Sequence, residues 1–135
     1  MFFETGKCDA SQMSPLSLAF IGDTVFDLLA RGELVGGENR QIGDLHKRAC
    51  TMVCAAAQAK AAEQILPLLT EEESDCFRRG RNASPSGRPK NQTSRDYHYA
   101  TGLECLFGML YITGKYERIK ELYEIIRRGR DEETR

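Results

Sequence analysis

The chain has 135 residues, 41% of them hydrophobic and 29% charged, with a formal net charge of −1, which fits one ordinary globular domain. No apolar run approaches the ~18 residues of a membrane span, and the opening MFFETGKCDASQ lacks the basic start and apolar core of a secretory signal. Near-neutral charge excludes a protein that coats nucleic acid with its whole surface, and five cysteines without a C-x-x-C pair read as small hydrophobes in a reducing cytoplasm.

The first predicted helix runs from Pro15 to about Leu34. Ser14 can cap it, Pro15 suits its first turn, and Gly36-Gly37 ends it. Gly22 and Asp23 interrupt its middle, where a glycine costs about 1 kcal/mol relative to alanine. A second helical stretch, whole or broken, extends from near Gln41 to about Leu66, where Pro67 stops it. A third starts at Thr70, whose spacing to Glu73 is that of a capping box, and continues to about Arg79.

From Arg78 to Arg95 the chain reads RRGRNASPSGRPKNQTSR, six Arg or Lys and no acid. Its proline, glycine and serine content predicts a loop over about 80–95, longer than compact domains usually tolerate without a function. Such a run is either solvated surface or a phosphate-binding segment. A helix follows from about Asp96 to Thr113, ended by Gly114. The last helix, KYERIKELYEIIRRG, places Tyr116, Ile119, Leu122, Tyr123 and Ile126 on one face. Residues 129–135 are expected to fray. The expected architecture is all-α, one domain over 1–135 with its core at about 14–128.

Wound at 100° per residue, the first helix puts Leu18, Ile21, Val25, Leu28 and Leu29 on one apolar face. Asp23 projects almost opposite, beside Ala19, Phe20, Asp27 and Ala30. The helix from Asp96 shows the same pattern: Glu104 projects with Tyr97, Ala100, Thr101, Gly108 and Tyr111, next to an apolar side of Leu103, Leu106, Phe107 and Leu110. If the two faces meet, Asp23 and Glu104 converge. Paired carboxylates in a partly desolvated place repel, and a hard divalent cation that keeps several waters is their natural neutraliser. On helix geometry alone, the two acids read equally as unrelated exposed charges.

The stretches LAFIGDTVFDLLAR and ATGLECLFGMLYITG settle between those readings. The first resembles the signature of the ribonuclease III family, whose catalytic helix leads through leucine and phenylalanine into Gly-Asp. The second resembles that family's other acidic motif, a glutamate four residues before a glycine and ahead of a Leu-Tyr pair. With DLHKRA, LTEEE, RRGRNA and PKN, the chain is most similar to family members built from the catalytic domain alone, over about Ser14 to Arg128. Larger members carry further acids at the positions of Ala19 and Thr101, so a cation here is expected to lean more on water, the Thr101 hydroxyl or the RNA. Because the sequence ends soon after its last helix, no separate double-stranded-RNA-binding domain is expected.

The resemblance implies a Mg²⁺-dependent endoribonuclease that cleaves double-stranded RNA, with products carrying 5′-phosphate and 3′-hydroxyl ends, acting in maturation of the large-subunit (23S) ribosomal RNA precursor in the cytoplasm. It makes Asp23 and Glu104 the catalytic metal ligands and the protein a homodimer with one site per subunit. Arg79, Arg81, Arg88, Lys90 and Arg95 become candidate phosphate contacts, and Asn82 and Asn91 candidate sugar or base-edge contacts. Lys47 and Arg48 are weaker RNA candidates, His98 an RNA or structural contact, and Asp27 and Thr101 weak supporting groups. The alternative is a cleavage-incompetent double-stranded-RNA-binding ribosome-assembly factor on the same fold, which loss of either acid would have signalled.

Overall fold

The computed structural model describes residues 9–83 and 94–133. Every regular element among them is helical: α1 (Pro15–Gly36), α2 (Ile42–Val53), α3 (Ala55–Ile65), α4 (Glu71–Asn82), α5 (Ser94–Ile112) and α6 (Tyr116–Glu133), with short 3₁₀ turns at Ala10–Gln12 and Leu66–Leu68. The cap signals act as expected. Ser17 N–H donates to Ser14 Oγ at 3.1 Å, and Thr70 and Glu73 satisfy each other's backbone N–H groups at the start of α4. Arg118 then grips the Glu73 carboxylate through Nε at 2.9 Å and Nη2 at 2.8 Å, tying α6 to that cap.

The core is built around α5. From Ala100 to Leu110 every residue except Glu104 is buried, and α1, α3, α4 and α6 all pack against this helix. Phe26 of α1 meets Phe107 of α5 at 5.6 Å between ring centroids and Tyr123 of α6 at 5.9 Å. Gly80 of α4 fits against the Cys105 side chain, and Gly102 lies under the Phe77 ring.

The crossing of α1 and α5 is set by a reciprocal pair of glycines. A Cβ on Gly22 would stand 2.6 Å from the Glu104 carbonyl carbon and 2.9 Å from the Gly108 nitrogen; one on Gly108 would stand 2.8 Å from the Leu18 carbonyl carbon. Each glycine therefore seats the backbone of the other helix where a side chain would be. The backbones could not approach this closely with any larger residue.

The second helical stretch, whole or broken by its sequence, breaks at Cys54, which is extended (φ −67°, ψ 160°), and two expectations elsewhere are corrected. The break turns α3 onto α5. Leu28 is exposed, and the buried side of α1 is Leu18, Ala19, Gly22, Val25, Phe26 and Ala30, because α5 covers the glycine side of the helix rather than its largest residues. Residues 129–133, expected to fray, continue α6: Arg130 Nη1 donates to both Glu33 carboxylate oxygens at 3.0 and 2.9 Å, and Tyr123 Oη donates to the same group at 2.6 Å. Tyr116 is correspondingly left partly exposed, while the rest of the predicted α6 face is buried.

The glycine contact makes opposite predictions for two helix-interior substitutions. Gly32→Ala, with open space around the new methyl, stabilises by up to about 1 kcal/mol through helix propensity. Gly22→Ala destabilises by at least about 2 kcal/mol despite the same propensity gain, since it forces two backbones apart. Thermal or urea unfolding of the two variants checks the contrast.

Candidate active site

Asp23 follows Gly22 directly, so the contact that brings Gly22 onto the Glu104 carbonyl also delivers the Asp23 side chain to Glu104. Asp23 is exposed, and Glu104 is the single half-buried position in an otherwise covered stretch of α5. The two carboxyl groups are neighbours at the crossing of α1 and α5. Burial first, and then the neighbouring Asp23 carboxylate, push the Glu104 pKa up to about 8, while the neighbouring Gln58 amide acts weakly the other way. The convergence read from the helix faces is therefore realised. Among the described residues no group of three or more His, Cys, Asp or Glu forms a fuller set of ligands.

Gln58 is the neighbour that the sequence did not single out. It is 3% exposed, and its Nε2 donates to the Val53 carbonyl at 3.0 Å across the break between α2 and α3. A lone carboxamide in AAAQAKAA was the only signal available. Thr101, one turn before Glu104, is buried and donates its hydroxyl to the Tyr97 carbonyl at 3.0 Å. Asp27 is engaged with Arg31 at 3.0 Å on the surface of α1, a local helix pair.

The basic candidates stand in varied company. Arg95 Nη2 contacts Glu63 Oε1 at 2.5 Å, and its guanidinium lies 4.3 Å above the Tyr99 ring, so it is committed to α3 and α5. Arg79 reaches the Met13 carbonyl at 3.4 Å, and Arg81 the neighbouring Asn82 at 3.3 Å. These residues belong to the end of α4 rather than to a loop. Arg88, Lys90 and Asn91 lie outside the described residues. Arg48 is paired with Asp44 at 3.0 Å, Lys47 is exposed, and the buried Nδ1 of His98 has no hydrogen-bond partner. Of the cysteines, Cys76 and Cys105 are buried with their sulfurs 3.5 Å apart, whereas Cys50 and Cys54 are exposed.

One turn before Asp23, Phe20 is 83% exposed. Met13, Leu16, Ile21 and Ile112 line the same depression, and Leu28 and Val35 extend the bare apolar surface along α1. Together these side chains leave apolar surface open to solvent on this side of α1.

The raised pKa carries a sign. Below about 4.5 Glu104 is neutral in both folded and unfolded chains. Between that value and about 8 the unfolded chain ionises while the folded one holds its proton, so stability is progressively lost as pH rises and the loss is complete above 8. Glu104→Gln removes this penalty. In chelator at pH 9 the variant is expected to unfold at a higher temperature than the parent, by a margin on the order of a few kcal/mol, and at pH 4 the two should converge.

Residues 16–115 match the model of the Ribonuclease III domain. The chain is 45% identical over 113 residues to a Mini-ribonuclease 3 of Thermoanaerobacter sp. (strain X514), covering 84% of this chain and 80% of that protein. It is 39% identical over 112 residues to a Mini-ribonuclease 3 of Symbiobacterium thermophilum, covering 83% and 86%. The fold matches the crystal structure of a protein from Fusobacterium nucleatum with a TM-score of 0.80 at 30% identity, covering 88% of this chain and 95% of that one. With Gly22-Asp23 and Glu104 joined at the crossing of α1 and α5, the chain belongs to the ribonuclease III family and is an endoribonuclease of that type.

Proposed function

We propose that the protein cleaves double-stranded RNA with Mg²⁺ held by Asp23 and Glu104, as a cytoplasmic homodimer acting on the precursor of large-subunit (23S) ribosomal RNA. The observation that carries this reading is the paired carboxyl group itself. A folded protein that forces Glu104 against Asp23 sacrifices stability at neutral pH, and the donor chemistry suits a hard divalent cation: all oxygen, two carboxylates, open on the Asp23 side to solvent. Mg²⁺ is commonly held through one or two carboxylates with water completing its shell. A cation bound there supplies Lewis acidity toward a phosphate oxygen and an activated water, consistent with 5′-phosphate and 3′-hydroxyl products.

The chain's own residues have distinct duties. Asp23 and Glu104 would hold the cation where the phosphodiester must lie, and each would have to be ionised to do so, Glu104 giving up its proton. Duplex RNA is recognised through shape, phosphates and 2′-hydroxyls. The acid-free run, with Arg79, Arg81 and Asn82 at its start and Arg88, Lys90 and Asn91 further on, supplies the complementary charge. Arg95, tied to Glu63, supports the start of α5 instead.

Dimer formation is supported by Phe20. Its exposed ring and the depression beside it, lined by Leu16 and Ile21, offer both a knob and a seat on one surface, which is what a two-fold contact between identical subunits requires. The seam then passes beside Asp23, three residues along α1, so two sites face the two strands of one duplex.

Asp23→Asn and Glu104→Gln should each abolish cleavage of perfect duplex RNA in Mg²⁺ while leaving the helical circular dichroism spectrum unchanged. Retained turnover in either variant removes the metal-ligand assignment, and retained duplex binding without turnover in the parent protein would favour an assembly factor. Phe20→Glu should convert a species of twice the chain mass into one of the chain mass in light scattering. A parent protein that is already monomeric at micromolar concentration refutes the dimer.

A further inference from the structure

We infer that Cys76 and Cys105 are a modification site: a thiol pair that hydrogen peroxide converts, inside the folded protein, into a reversible disulfide between α4 and α5. Cleavage of RNA gives these thiols no part. Both are buried, Cys76 at 6% exposure and Cys105 at 0%, and their sulfurs lie 3.5 Å apart. Cys76 donates its S–H to the Cys105 carbonyl at 3.5 Å, so the thiol hydrogen left for the space between the sulfurs is that of Cys105.

The approach is a product of helix packing. Cys76 and Gly80 stand one turn apart on one face of α4, and Gly102 and Cys105 stand three residues apart on α5. A Cβ on Gly80 would lie 2.5 Å from the Cys105 Cβ and 3.1 Å from the Gly102 Cα, while one on Gly102 would lie 2.8 Å from the Phe77 ring. The two glycines let α4 settle onto α5 without an intervening side chain, and sulfur meets sulfur as a result. A buried cysteine among hydrocarbon neighbours is inert packing. A second thiol in contact changes that, because a disulfide then needs only that the sulfurs close to about 2 Å between helices already side by side.

The step balances with one peroxide per pair. Cys76 keeps the only exposed surface of the two, so it meets the oxidant first. Its sulfur takes one oxygen as the O–O bond breaks, giving a sulfenic acid and one water. The Cys105 sulfur then displaces that oxygen as a second water and forms the S–S bond. Two thiols have lost two hydrogens and two electrons, and the peroxide has been reduced to two waters. Without the Cys105 thiol in contact, the sulfenic acid is open to further, irreversible oxidation. The bond also closes a loop across 29 positions, which contains the whole acid-free run from Arg78 to Arg95, and it fastens α4 to the residue after Glu104. A crosslink of this span restricts the unfolded chain.

The test starts with the parent protein, exposed to hydrogen peroxide while folded. Peptide mapping without reductant should find the segment holding Cys76 joined to the one holding Cys105. In the variant Cys8→Ser/Cys50→Ser/Cys54→Ser, where only the pair remains, the mass should fall by two hydrogens. The melting temperature should rise by roughly 10 °C, and dithiothreitol should reverse both changes. Adding Cys105→Ala to that variant should carry Cys76 on to sulfinic acid, whereas adding Cys76→Ala should leave Cys105 unoxidised. If the folded pair gains oxygen without a link, or is unchanged while Cys50 and Cys54 of the parent are oxidised, it is inert packing and the inference is wrong. A link that forms only in denaturant overturns it as well.

Discussion

Everything about the site depends on the backbone-to-backbone contact between Gly22 and Glu104. Helix packing usually separates axes by 8–10 Å, with side chains filling the interval. At this crossing the filler is absent on both sides, since Gly22 receives the Glu104 carbonyl and Gly108 receives that of Leu18. The helix propensity lost at two glycines is recovered as closeness. Closeness is what allows a short aspartate and a glutamate on different helices to share one small volume.

That closeness works against the fold electrostatically. Glu104 is held beside Asp23 on the most buried helix of the domain, and its raised pKa records the penalty. The compensating polar interactions sit elsewhere. Glu73 is an instructive contrast: burial pushes its pKa up, but the Arg118 guanidinium and the Thr70 backbone outweigh that and hold it below the usual range. Glu33 has Arg130 and Tyr123. Two acids with full complements of donors brace the ends of α1, α4 and α6, while the acid at the crossing has an acidic neighbour. The division separates acids that hold the fold from the pair proposed here to hold a cation.

Much of this was readable from residues alone, and the reasons are local. Caps at Ser14 and Thr70 act through neighbours three residues away. Gly22-Asp23 and Glu104 declared themselves because a glycine and an acid are each unfavourable in an apolar helix, and both motifs showed the same offence. What could not be read depends on how helices are aimed. Leu28 looks like core by periodicity, yet α5 selects the glycine side of α1. Gln58 reaches the Val53 carbonyl only because the chain turns at Cys54, which no strong breaker residue announces. Arg95 looks like a free cation in a basic run, but the opening turn of α5 lies beside α3 and gives it to Glu63. The end of α6 looked loose because its tie, Glu33, is almost a hundred residues distant.

The burial of α5 on nearly all sides has a consequence for how the chain is made. Its covering helices α1, α3 and α4 precede it, so during synthesis they leave the ribosome with their packing partner still missing. Until residues 94–112 emerge, the bare glycine face of α1 and the alanine face of α3 have nothing to close on. Domains generally fold as units when their elements are out, and here the unit cannot close before its penultimate helix. The arrival of the segment carrying Glu104 thus completes the core and the paired acids together. A chain paused short of that point would have neither.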